Sequence, residues 1–465
     1  MVETKRVLIL GAGFAGLAAA LELETLGIPT LLVERSNEVA GLSRTFNLAG
    51  LKFELGPHIY FDKDPEVTGF WRKLIGDKLK TFQRNNRIFY NGKYIKSPLS
   101  LSDTFFKLGP LSVGRILWSY AKSYWTHRKI ESAEDWVKSN FGFELFNRFF
   151  KVYNEKIWGI PCSEMAADWA GNRIRSSLTK MIYKSVTRDH NFIIKTFDFP
   201  TGGSETLYKK QVSQIEASKH VKLELNCETS NITSMESGYE VTLGSPSRKE
   251  TFSHIISTIH LDSLVNIFSD SSPFDKRKVQ EAISNLKYRN LILVNFVLNR
   301  NQVQNFKEHW IDIHDPKIKA LRVTNFGNHE LGLVDGERCG ICVEFNCWDN
   351  DELWNLSEKA MTELALSELK IMGLLTSDSV VASSVIRIPK AYPVYFKEYQ
   401  NYLNTVFEEL DKLKGIILAG RNSLYKWNNM HHSVKTGLLA ARNVAGANHD
   451  LKAVKGLIAI GKDSD

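Results

Sequence analysis

The sequence predicts an α/β fold in which a parallel, doubly wound sheet is discontinuous along the chain and carries inserted domains. Two segments near opposite ends of the 465-residue chain indicate this fold. Each passes from an apolar strand through a glycine turn into a helix rich in small residues. The chain is also too long for one simple core, so two or three structural units are expected.

The first of these segments lies at the N-terminus. Lys5–Leu10 ends in a continuous apolar run, which is typical of a strand buried on both faces. In the turn that follows, Gly11 permits a tight bend, Gly13 lets the backbone approach a pyrophosphate, and Gly16 allows close packing of helix on strand. The helix extends to about Leu26, and its unpaired N–H groups and dipole favour phosphate at its start.

An acidic residue follows the next predicted strand. Pro29–Val33 is apolar, and Glu34 lies at its end, about twenty residues beyond the glycine turn. A carboxylate at this place can hold both ribose hydroxyls and would repel a 2′-phosphate. Strand, glycine turn, helix and acidic residue together predict a Rossmann-like dinucleotide site.

Two further segments follow this carboxylate and indicate which dinucleotide binds. Glu34-Arg35 leads to Ala40-Gly41-Leu42-Ser43-Arg44 and then to Gly56-Pro57-His58. This order resembles the flavoprotein superfamily of amine oxidases, protoporphyrinogen oxidases, carotenoid desaturases and UDP-galactopyranose mutases. In that superfamily a glycine pair with a nearby arginine approaches FAD. The resemblance implies this role for Gly41, although Ala40 stands where the first glycine of the pair is usual.

A second strand, turn and helix lies near the C-terminus. Gly415–Ala419 predicts a short buried strand, and Ser433–Val444 predicts a helix after the polar turn Asn428–His432. The superfamily uses this region to hold the pyrophosphate, ribityl chain and ring edge of the flavin, so the paired motifs favour FAD over NAD. The residues expected to bind FAD are Gly11, Gly13, Phe14, Ala15, Gly16, Glu34, Arg35, Gly41, Leu42, Ser43, Arg44, Gly56, Pro57, His58, Gly420, Arg421, Asn429, Met430 and Ser433.

Four segments resemble the UDP-galactopyranose mutases in particular, and they do so in the same order along the chain. In chain order, they resemble four elements of the mutases: the segment that lies against the isoalloxazine, a tryptophan–glycine element with a downstream arginine, an arginine–x–threonine strand, and a tyrosine–proline element near the substrate phosphates. The segments and their candidate catalytic residues are Gly56–Tyr60 with His58, Trp158–Pro161 with Arg173 and Arg175 downstream, Leu321–Thr324 with Arg322, and Ala391–Tyr395 with Tyr392 and Tyr395.

These residue types suit a nucleotide-diphosphate sugar, because arginine offers planar bidentate donors to phosphate and tyrosine adds neutral donors. Each candidate also has a structural alternative. Arg173 and Arg175 fit a solvated helix, Arg322 fits an ion pair with a carboxylate, the two tyrosines fit aromatic packing, and His58 fits a hydrogen-bonded core position. Mutase-like proteins tend to carry an acidic residue where this chain has His431, so an identical mechanism is not assured by the resemblance.

The resemblance to the mutases implies a small-molecule substrate, a nucleotide sugar of polysaccharide biosynthesis. It implies attack of reduced-flavin N5 on the anomeric carbon without net redox change, with NAD(P)H as one candidate electron donor. The same frame fits an alternative, an oxidoreductase of the amine oxidase, protoporphyrinogen oxidase or desaturase type that transfers hydride to flavin N5. A flavoprotein acting only as a binding module is a third interpretation, which the intact motifs at both chain ends disfavour.

The order of motifs predicts a discontinuous Rossmann-like FAD-binding domain with inserted helical and α+β substrate domains. We assign residues 1–96, 196–287 and 406–465 to FAD binding. Residues 97–195 are expected to form a mostly helical insert, rich in aromatic and basic residues. Residues 288–405 contain strong strand runs, such as Leu291–Leu298 and Gly340–Trp348, and are expected to form a substrate domain with a sheet.

Charge and cysteine content limit the remaining possibilities. The net charge is +8, and basic and aromatic residues concentrate in Phe105–Lys129. This block fits an ordinary helical face, a helix on a membrane surface, or a funnel for an anionic substrate. No nucleic-acid-binding module is visible. Cys339, Cys342 and Cys347 lie in an apolar strand run, which favours free buried thiols, no metal site, and a reducing, cytoplasmic location.

Overall fold

The computed structural model describes residues 5–61, 64–97, 107–125, 129–173, 196–328, 336–377 and 380–454. The β-strands in these ranges are β1 Val7–Leu10, β2 Thr30–Val33, β3 Thr45–Leu48, β4 Leu51–Glu54, β5 Leu79–Gln83, β6 Asn86–Tyr90, β7 Lys93–Ser97, β8 Thr196–Pro200, β9 Val221–Glu224, β10 Thr229–Met235, β11 Gly238–Leu243, β12 Arg248–Phe252, β13 His254–Ser257, β14 Tyr288–Asn299, β15 Trp310–Ile313, β16 Arg322–Asn325, β17 Arg338–Cys347, β18 Ala382–Pro393 and β19 Ile416–Leu418. The α-helices are α1 Phe14–Thr25, α2 Pro65–Ile75, α3 Pro110–Trp125, α4 Ala133–Leu145, α5 Val152–Trp158, α6 Ala167–Arg173, α7 Ser204–Glu216, α8 Leu261–Ile267, α9 Lys276–Ser284, α10 Glu352–Asn355, α11 Glu358–Ile371, α12 Tyr399–Leu410, α13 Gly420–Ser423 and α14 Met430–Val444.

A parallel sheet carries the glycine-rich turn. Its strand order in the described part of the chain is β19-β13-β1-β2-β9, so strands distant in sequence lie side by side. β1 is central, with Val7 opposite Thr30 of β2 and His254 of β13. All four β1 residues are buried, as the uninterrupted apolar run predicts for a strand covered on both faces. The predicted discontinuous α/β fold is therefore confirmed.

Close contact between α1 and α14 joins the two ends of the chain. A Cβ atom on Gly437 would lie 2.2 Å from the Ala15 carbonyl oxygen, so a larger residue would force these helices apart. A Cβ atom on Gly16 would lie 2.0 Å from the Gly11 carbonyl oxygen, which fixes α1 against the end of β1. The side chain of Arg442 in α14 also donates to Glu22 in α1, at 2.7 Å. Small residues therefore set the distance between the two predicted cofactor-binding segments.

A second sheet forms the expected substrate region. Its order is β18-β14-β17-β16-β15-β6-β7, antiparallel apart from the β6–β15 pair. The predicted strand runs Leu291–Leu298 and Gly340–Trp348 are confirmed as β14 and β17, although β17 ends at Cys347; the two strands pair from Asn290 opposite Cys347 to Asn299 opposite Arg338. Helix α11 buries Met361, Ala365 and Leu369 in the same apolar cluster as one face of this sheet. The sheet is therefore covered by a helix, as expected for an α+β unit.

Strands β6 and β7 lie in this second sheet, although sequence reasoning assigns residues 86–96 to the first FAD-binding segment, 1–96. β6 pairs in parallel with β15, and β7 pairs with β6. Their partner strand is more than two hundred positions away along the chain, so a local pattern could not reveal the pairing. We propose a domain division whose first boundary lies before Asn86.

Helices dominate the described part of residues 97–195. Helix α4 begins with a capping box, in which Asp135 N donates to Ser132 Oγ and Ser132 N donates to the Asp135 carboxylate. Gly142 brings this helix against α3, because a Cβ atom there would lie 2.8 Å from the Tyr120 backbone. In the described ranges, no helix is long and apolar enough to cross a membrane.

Two expectations for individual strands have different outcomes. The run Gly415–Ala419 does form a strand, β19, but the prediction that it is buried is wrong, since each β19 residue is partly exposed. Among the described strands, β19 is at the sheet edge and pairs with β13 alone, so no described strand covers its other side. In β17, Cys339, Cys342 and Cys347 are buried free thiols, and burial raises the pKa of each.

Two helical Gly→Ala substitutions, one at the contact between α1 and α14 and one away from it, should change the free energy of unfolding in opposite directions. Gly437→Ala should lower the free energy of unfolding by about 1–3 kcal/mol, because its Cβ atom collides with the Ala15 backbone. Gly69→Ala in α2 meets no atom within 4 Å and should raise that free energy by up to about 1 kcal/mol through helix propensity. Urea unfolding of both variants checks this. Equal effects would show that the two helices are not held at contact distance.

Candidate functional site

The glycine-rich turn is held by a threonine that follows β13. Gly11 has a φ of +96°, and a Cβ atom there would lie 2.6 Å from Thr258 Oγ1. Thr258 Oγ1 donates to the Leu10 carbonyl oxygen at 2.8 Å and lies 3.1 Å from that of Gly11. The tight bend predicted at Gly11 is therefore confirmed, and its rigidity comes from a neighbouring strand of the sheet.

The start of α1 offers unpaired backbone donors. Gly13 is the N-cap, and the first intrahelical bond runs from Leu17 N to the Gly13 carbonyl oxygen at 2.9 Å. The N–H groups of Phe14, Ala15 and Gly16 precede this bond and so have no acceptor within the helix. A Cβ atom on Gly13 would meet no atom within 4 Å. The turn therefore has open space beside Gly13 and several N–H donors, which fits a pyrophosphate.

Glu34 lies beside this turn at the end of β2. One carboxylate oxygen accepts from Ala12 N at 3.0 Å, and the other accepts from the Ser36 backbone N–H and hydroxyl, each at 3.0 Å. These bonds hold the carboxylate where a ribose is expected while leaving acceptor capacity on both oxygens. Arg35 is exposed and lies close enough to His260 to repel its charged form.

The two segments that follow Glu34 are joined by a histidine. Ala40 adopts φ +72° and lies just before the 3₁₀ turn Gly41–Ser43, so the position that is usually glycine does need a left-handed backbone. His58 Nε2 donates to the Leu42 carbonyl oxygen at 2.8 Å. The Leu42 turn and the Gly56–His58 turn therefore form one unit, with Ser43 buried in it.

The imidazole of His58 is neutral near physiological pH. Burial disfavours its charged form and the positive charge of Arg421 adds repulsion, so its pKa falls to about 4. Because Nε2 carries the hydrogen that binds Leu42, the neutral tautomer is fixed. With its one hydrogen bound to Leu42, this neutral imidazole can accept a further hydrogen bond at Nδ1 but cannot serve as a cation at neutral pH.

Glu54 supports this turn from β4, and sequence reasoning missed it. Its carboxylate accepts from Ser204 N at 2.6 Å, at the first residue of α7. Burial raises the pKa of Glu54 to about 7, even though the backbone N–H groups of Ser204 and His58 favour its ionised form. The carboxyl group therefore connects the α7 N-terminus to the backbone of the His58 turn.

The C-terminal segment begins with a turn closed by Arg421. Its guanidinium donates to the Asn428 carbonyl oxygen from Nε at 3.0 Å and from the terminal nitrogen at 2.6 Å, and to that of Ala391 at 3.3 Å. Gly420 N donates to Thr436 Oγ1 at 3.0 Å, which ties the turn to α14. Arg421 thus shapes the loop through backbone carbonyls while its positive charge remains in the site.

The start of α14 presents polar groups of several kinds. Asn429 is the N-cap, and its backbone N–H donates to His432 Nδ1 at 3.1 Å. Among the described residues, neither side-chain atom of the buried Asn428 has a hydrogen-bond partner. Met430 is buried and Ser433 partly so. An amide that can donate and accept, beside a helix N-terminus, suits the heteroatom-rich edge of a flavin ring.

The predicted tyrosines lie beside this loop. The Arg421 guanidinium lies 5.4 Å from the centre of the Tyr392 ring, and Tyr395 OH accepts from Trp427 N at 2.7 Å. Trp158 is buried, with its ring centre 5.0 Å from that of Trp427 and 5.7 Å from that of Tyr395. Trp158 is therefore a packed core aromatic, whereas Tyr395 and Tyr392 are both partly buried and pack against that core.

Arg322 lies in β16 of the second sheet, close enough to Tyr392 to interact with it electrostatically. Its Nε donates to Asp312 at 2.9 Å, a terminal nitrogen donates to Tyr153 OH at 3.2 Å, and Glu344 lies at 3.8 Å. Burial opposes ionisation of Arg322, but the Asp312 carboxylate together with Tyr153 and Glu344 outweighs it and raises the pKa of Arg322 well above its usual value. The structural alternative for Arg322, an ion pair with a surface carboxylate, is thus correct in part, because Glu344 is buried and Asp312 is partly buried rather than exposed.

The two carboxyl groups beside Arg322 differ in their tendency to ionise. Arg322 holds the pKa of Asp312 below its usual range against the effect of burial, so Asp312 is ionised. Burial raises the pKa of Glu344, which shifts that carboxyl toward its neutral form. Tyr392 interacts electrostatically with Glu344, Arg421 and Arg322. The predicted residues His58, Arg421, Tyr392 and Arg322 are therefore brought together in one region.

A third arginine in this region, Arg84, was not predicted. Arg84 precedes β6, and its guanidinium lies 5.3 Å from the Phe61 ring centre and 5.7 Å from that of Trp310. Burial lowers the pKa of Arg84, although Asp312 nearby favours its charge. Its hydrogen bond goes to the neutral Asn86 side chain at 2.7 Å, and no described carboxylate forms an ion pair with it. Arg84 is a positive charge available to an anionic ligand.

The remaining predicted arginines cannot be placed. Arg173 is the last residue of α6, and its side chain falls outside the described part of the structure. Arg175 lies wholly outside the described residues. Their expected contact with substrate phosphates therefore stays a prediction.

Glu54 predicts a pH dependence of stability. A folded-state pKa of about 7 against the ordinary value of 4.5 means that the folded protein keeps a proton which the unfolded chain loses. As the pH rises from 4.5 to about 7, the free energy of unfolding of the wild type should therefore fall by about 3 kcal/mol relative to that of Glu54→Gln. Urea unfolding across this range, with the exposed Glu236→Gln as control, measures it. Parallel curves for wild type and Glu54→Gln would contradict the buried, protonated carboxyl.

Comparison with known proteins places this site in a family. The model of flavin-containing amine oxidoreductases matches residues 14–445, which is most of the chain. An L-amino-acid oxidase of Demansia vestigiata is 22% identical over 95% of this chain and 86% of its own length. A probable UDP-galactopyranose mutase of Klebsiella pneumoniae is 23% identical over 49% of this chain, and the match spans only 57% of that protein.

Solved structures show the same fold over the whole chain. A reduced UDP-galactopyranose mutase superposes with a TM-score of 0.82 at 20% identity and covers 97% of both chains. A putrescine oxidase variant superposes with a TM-score of 0.64 at 15% identity and covers 95% of this chain. The protein is therefore an FAD-dependent oxidoreductase or mutase, and its chain belongs to the family of flavin-containing amine oxidoreductases.

Proposed function

We propose that this protein is a flavoenzyme acting on a nucleotide-diphosphate sugar or a related anionic glycan precursor, in the manner of UDP-galactopyranose mutases. The observation that carries the proposal is the pair Arg84 and Arg322 in the second sheet region, connected to the flavin site through Tyr392 and Arg421. Partly buried guanidinium groups are well suited to phosphates. Likeness in fold to the reduced mutase supports the proposal without establishing the substrate.

The cofactor is bound, in this proposal, by groups from both ends of the chain. The N–H groups at the start of α1 bind the pyrophosphate, and Glu34 binds the adenosine ribose. The turns containing Gly41 and His58 lie against the flavin, and Asn428 with the N-terminus of α14 binds the edge of its ring. When bound, FAD supplies either a nucleophilic reduced N5 or a hydride acceptor.

The chain's own residues then have separate tasks. Arg84 and Arg322 bind the anionic group of the substrate, and the Asp312 carboxylate keeps the Arg322 guanidinium in one orientation. His58 remains neutral and can hydrogen-bond to a group near the flavin without adding charge. Tyr392, between Arg421 and Glu344, offers a phenol hydrogen-bond donor, whose pKa burial raises. These groups orient the substrate, and the cofactor performs the bond chemistry.

An amine-oxidase-like reaction is the second candidate, and one observation favours it. Tyr392 and Trp427 pack edge to face beside Arg421, with ring centres 5.9 Å apart. Flavin amine oxidases often surround a substrate amine with such rings. In that reaction hydride passes from a C–H bond next to nitrogen or oxygen to flavin N5, and the neutral His58 would not repel a cationic amine.

Gly13 permits a test of cofactor binding that leaves the fold unchanged. A Cβ atom on Gly13 meets no protein atom within 4 Å, and its φ of −71° suits alanine. Gly13→Ala should therefore retain wild-type stability as apoprotein but bind FAD at least about tenfold more weakly, because the methyl group stands where the pyrophosphate approaches. FAD titration and urea unfolding of the apoprotein measure these two quantities. Unchanged FAD affinity would place the pyrophosphate elsewhere.

Spectral titration of the reduced protein tests the substrate class. A nucleotide-diphosphate sugar should perturb the flavin spectrum, and Arg84→Gln should weaken this binding by about tenfold to a hundredfold through loss of a charged donor. Arg322→Lys, which keeps the charge next to Asp312 but loses the planar fork, should weaken it less. Arg300→Gln, at an exposed position beyond β14, is the matched control. If nucleotide sugars leave the spectrum unchanged while an amine bleaches the oxidised flavin, the second candidate is correct.

A further inference from the structure

Helix α3 has an exposed face that the flavin site does not use. Leu111, Trp118 and Trp125 recur at intervals of seven residues, and their exposed fractions are 84%, 74% and 86%. Seven residues are close to two helical turns, so the three side chains form one stripe along the helix. Tryptophan is seldom exposed to this degree on a protein surface, and two such residues on one helix face form an unpartnered apolar patch.

Basic residues lie on the same stripe. Arg115 and Lys122 are also seven residues apart and lie between the apolar residues, both exposed. The order along the stripe is Leu111, Arg115, Trp118, Lys122, Trp125, and α3 contains no acidic residue at all. Among the described residues, neither Arg115 nor Lys122 forms an ion pair. The face is therefore both apolar and positively charged.

The neighbouring helix extends this surface. A groove of about 420 Å³ between α3 and α4 is lined by Trp118, Lys122, Lys138 and Phe143, with Phe143 54% exposed. Glu144, which lines this groove, pairs with Arg148 at 3.0 Å, and Lys138 pairs with Glu134 in α4. The negative charge of Glu144 is therefore compensated by a cation outside α3 and does not cancel the charge of the α3 stripe.

We propose that the face formed by Leu111, Arg115, Trp118, Lys122 and Trp125 docks on the surface of an anionic lipid bilayer. Tryptophan rings occupy the boundary between headgroups and acyl chains, with an apolar body and one polar N–H group. Arginine and lysine place their stems along the apolar boundary and their charges among anionic headgroups. α3 would thus lie in the plane of the membrane surface.

Charge favours a bilayer over a second copy of this chain. A two-fold dimer through this face would bring the stripe against itself, placing Arg115 and Lys122 of one copy near the same cations of the other. No acidic side chain on α3 is available to compensate them. An anionic bilayer has a complementary charge and needs no matching shape, and this surface is separate from the proposed flavin and substrate sites.

Co-sedimentation of the FAD-loaded protein with vesicles tests the proposal. Vesicles containing phosphatidylserine should bind the protein at low salt, and binding should weaken as salt rises. Vesicles of phosphatidylcholine alone should bind it at least about tenfold more weakly. Arg115→Glu with Lys122→Glu should abolish binding, and Trp118→Ser with Trp125→Ser should weaken it at unchanged charge. Lys359→Glu with Ile371→Ser, exposed residues of α11, is the matched control.

The following outcomes would contradict the proposal. Absence of binding to phosphatidylserine vesicles at low salt does so directly, as does equal loss of binding in the α11 control. Sedimentation equilibrium without lipid tests the remaining alternative, in which a second copy of the chain binds this face. A dimer that Trp118→Ser with Trp125→Ser dissociates, together with no vesicle binding, would assign this face to a second copy of the chain. Retained flavin absorbance in every variant shows that the fold is intact.

Discussion

The packing of α1 against α14 is the constraint on which the rest of the structure depends. With no side chain on Gly437, the backbone of α14 approaches the Ala15 carbonyl oxygen, and the start of each helix reaches the same region at the sheet edge. β1 lies between β2 and β13. The residues that directly follow these three strands therefore meet at the glycine-rich turn; they are Gly11, Glu34 and Thr258. Two chain ends separated by inserted units are thereby joined into one FAD site.

The second consequence of this arrangement is electrostatic. Arg421 closes its own loop through backbone carbonyls, and its charge lowers the pKa of His58 and acts on Tyr392. Tyr392 in turn lies within range of Arg322, whose charge Asp312 partly compensates. The flavin region and the second sheet are therefore electrostatically coupled through a short row of side chains. Arg84 forms no ion pair with a described residue, so its positive charge favours an anionic substrate over an uncharged one.

Sequence patterns revealed those features whose cause is local. The apolar run before Gly11, the glycine spacing and Glu34 predicted β1, the turn and α1, because each depends on neighbouring residues. Arg84, Glu54 and Thr258 were missed because their importance arises from partners more than a hundred positions away. The pairing of β6 with β15 was not predicted for the same reason. Arg322 was found through resemblance, but its carboxylate partners were visible only in the structure.

Hydrogen exchange of the apoprotein and the FAD-bound protein tests most directly the central claim that both chain ends hold one cofactor. The account predicts that FAD slows amide exchange at the start of α1, around Phe14–Gly16, and equally at the start of α14, at Met430 and His431. These N–H groups have no acceptor within their helices, whereas Ser433 N already donates to the Asn429 carbonyl oxygen, so they should exchange readily without a ligand. Protection of α1 alone, with unchanged exchange at α14, would contradict the shared site.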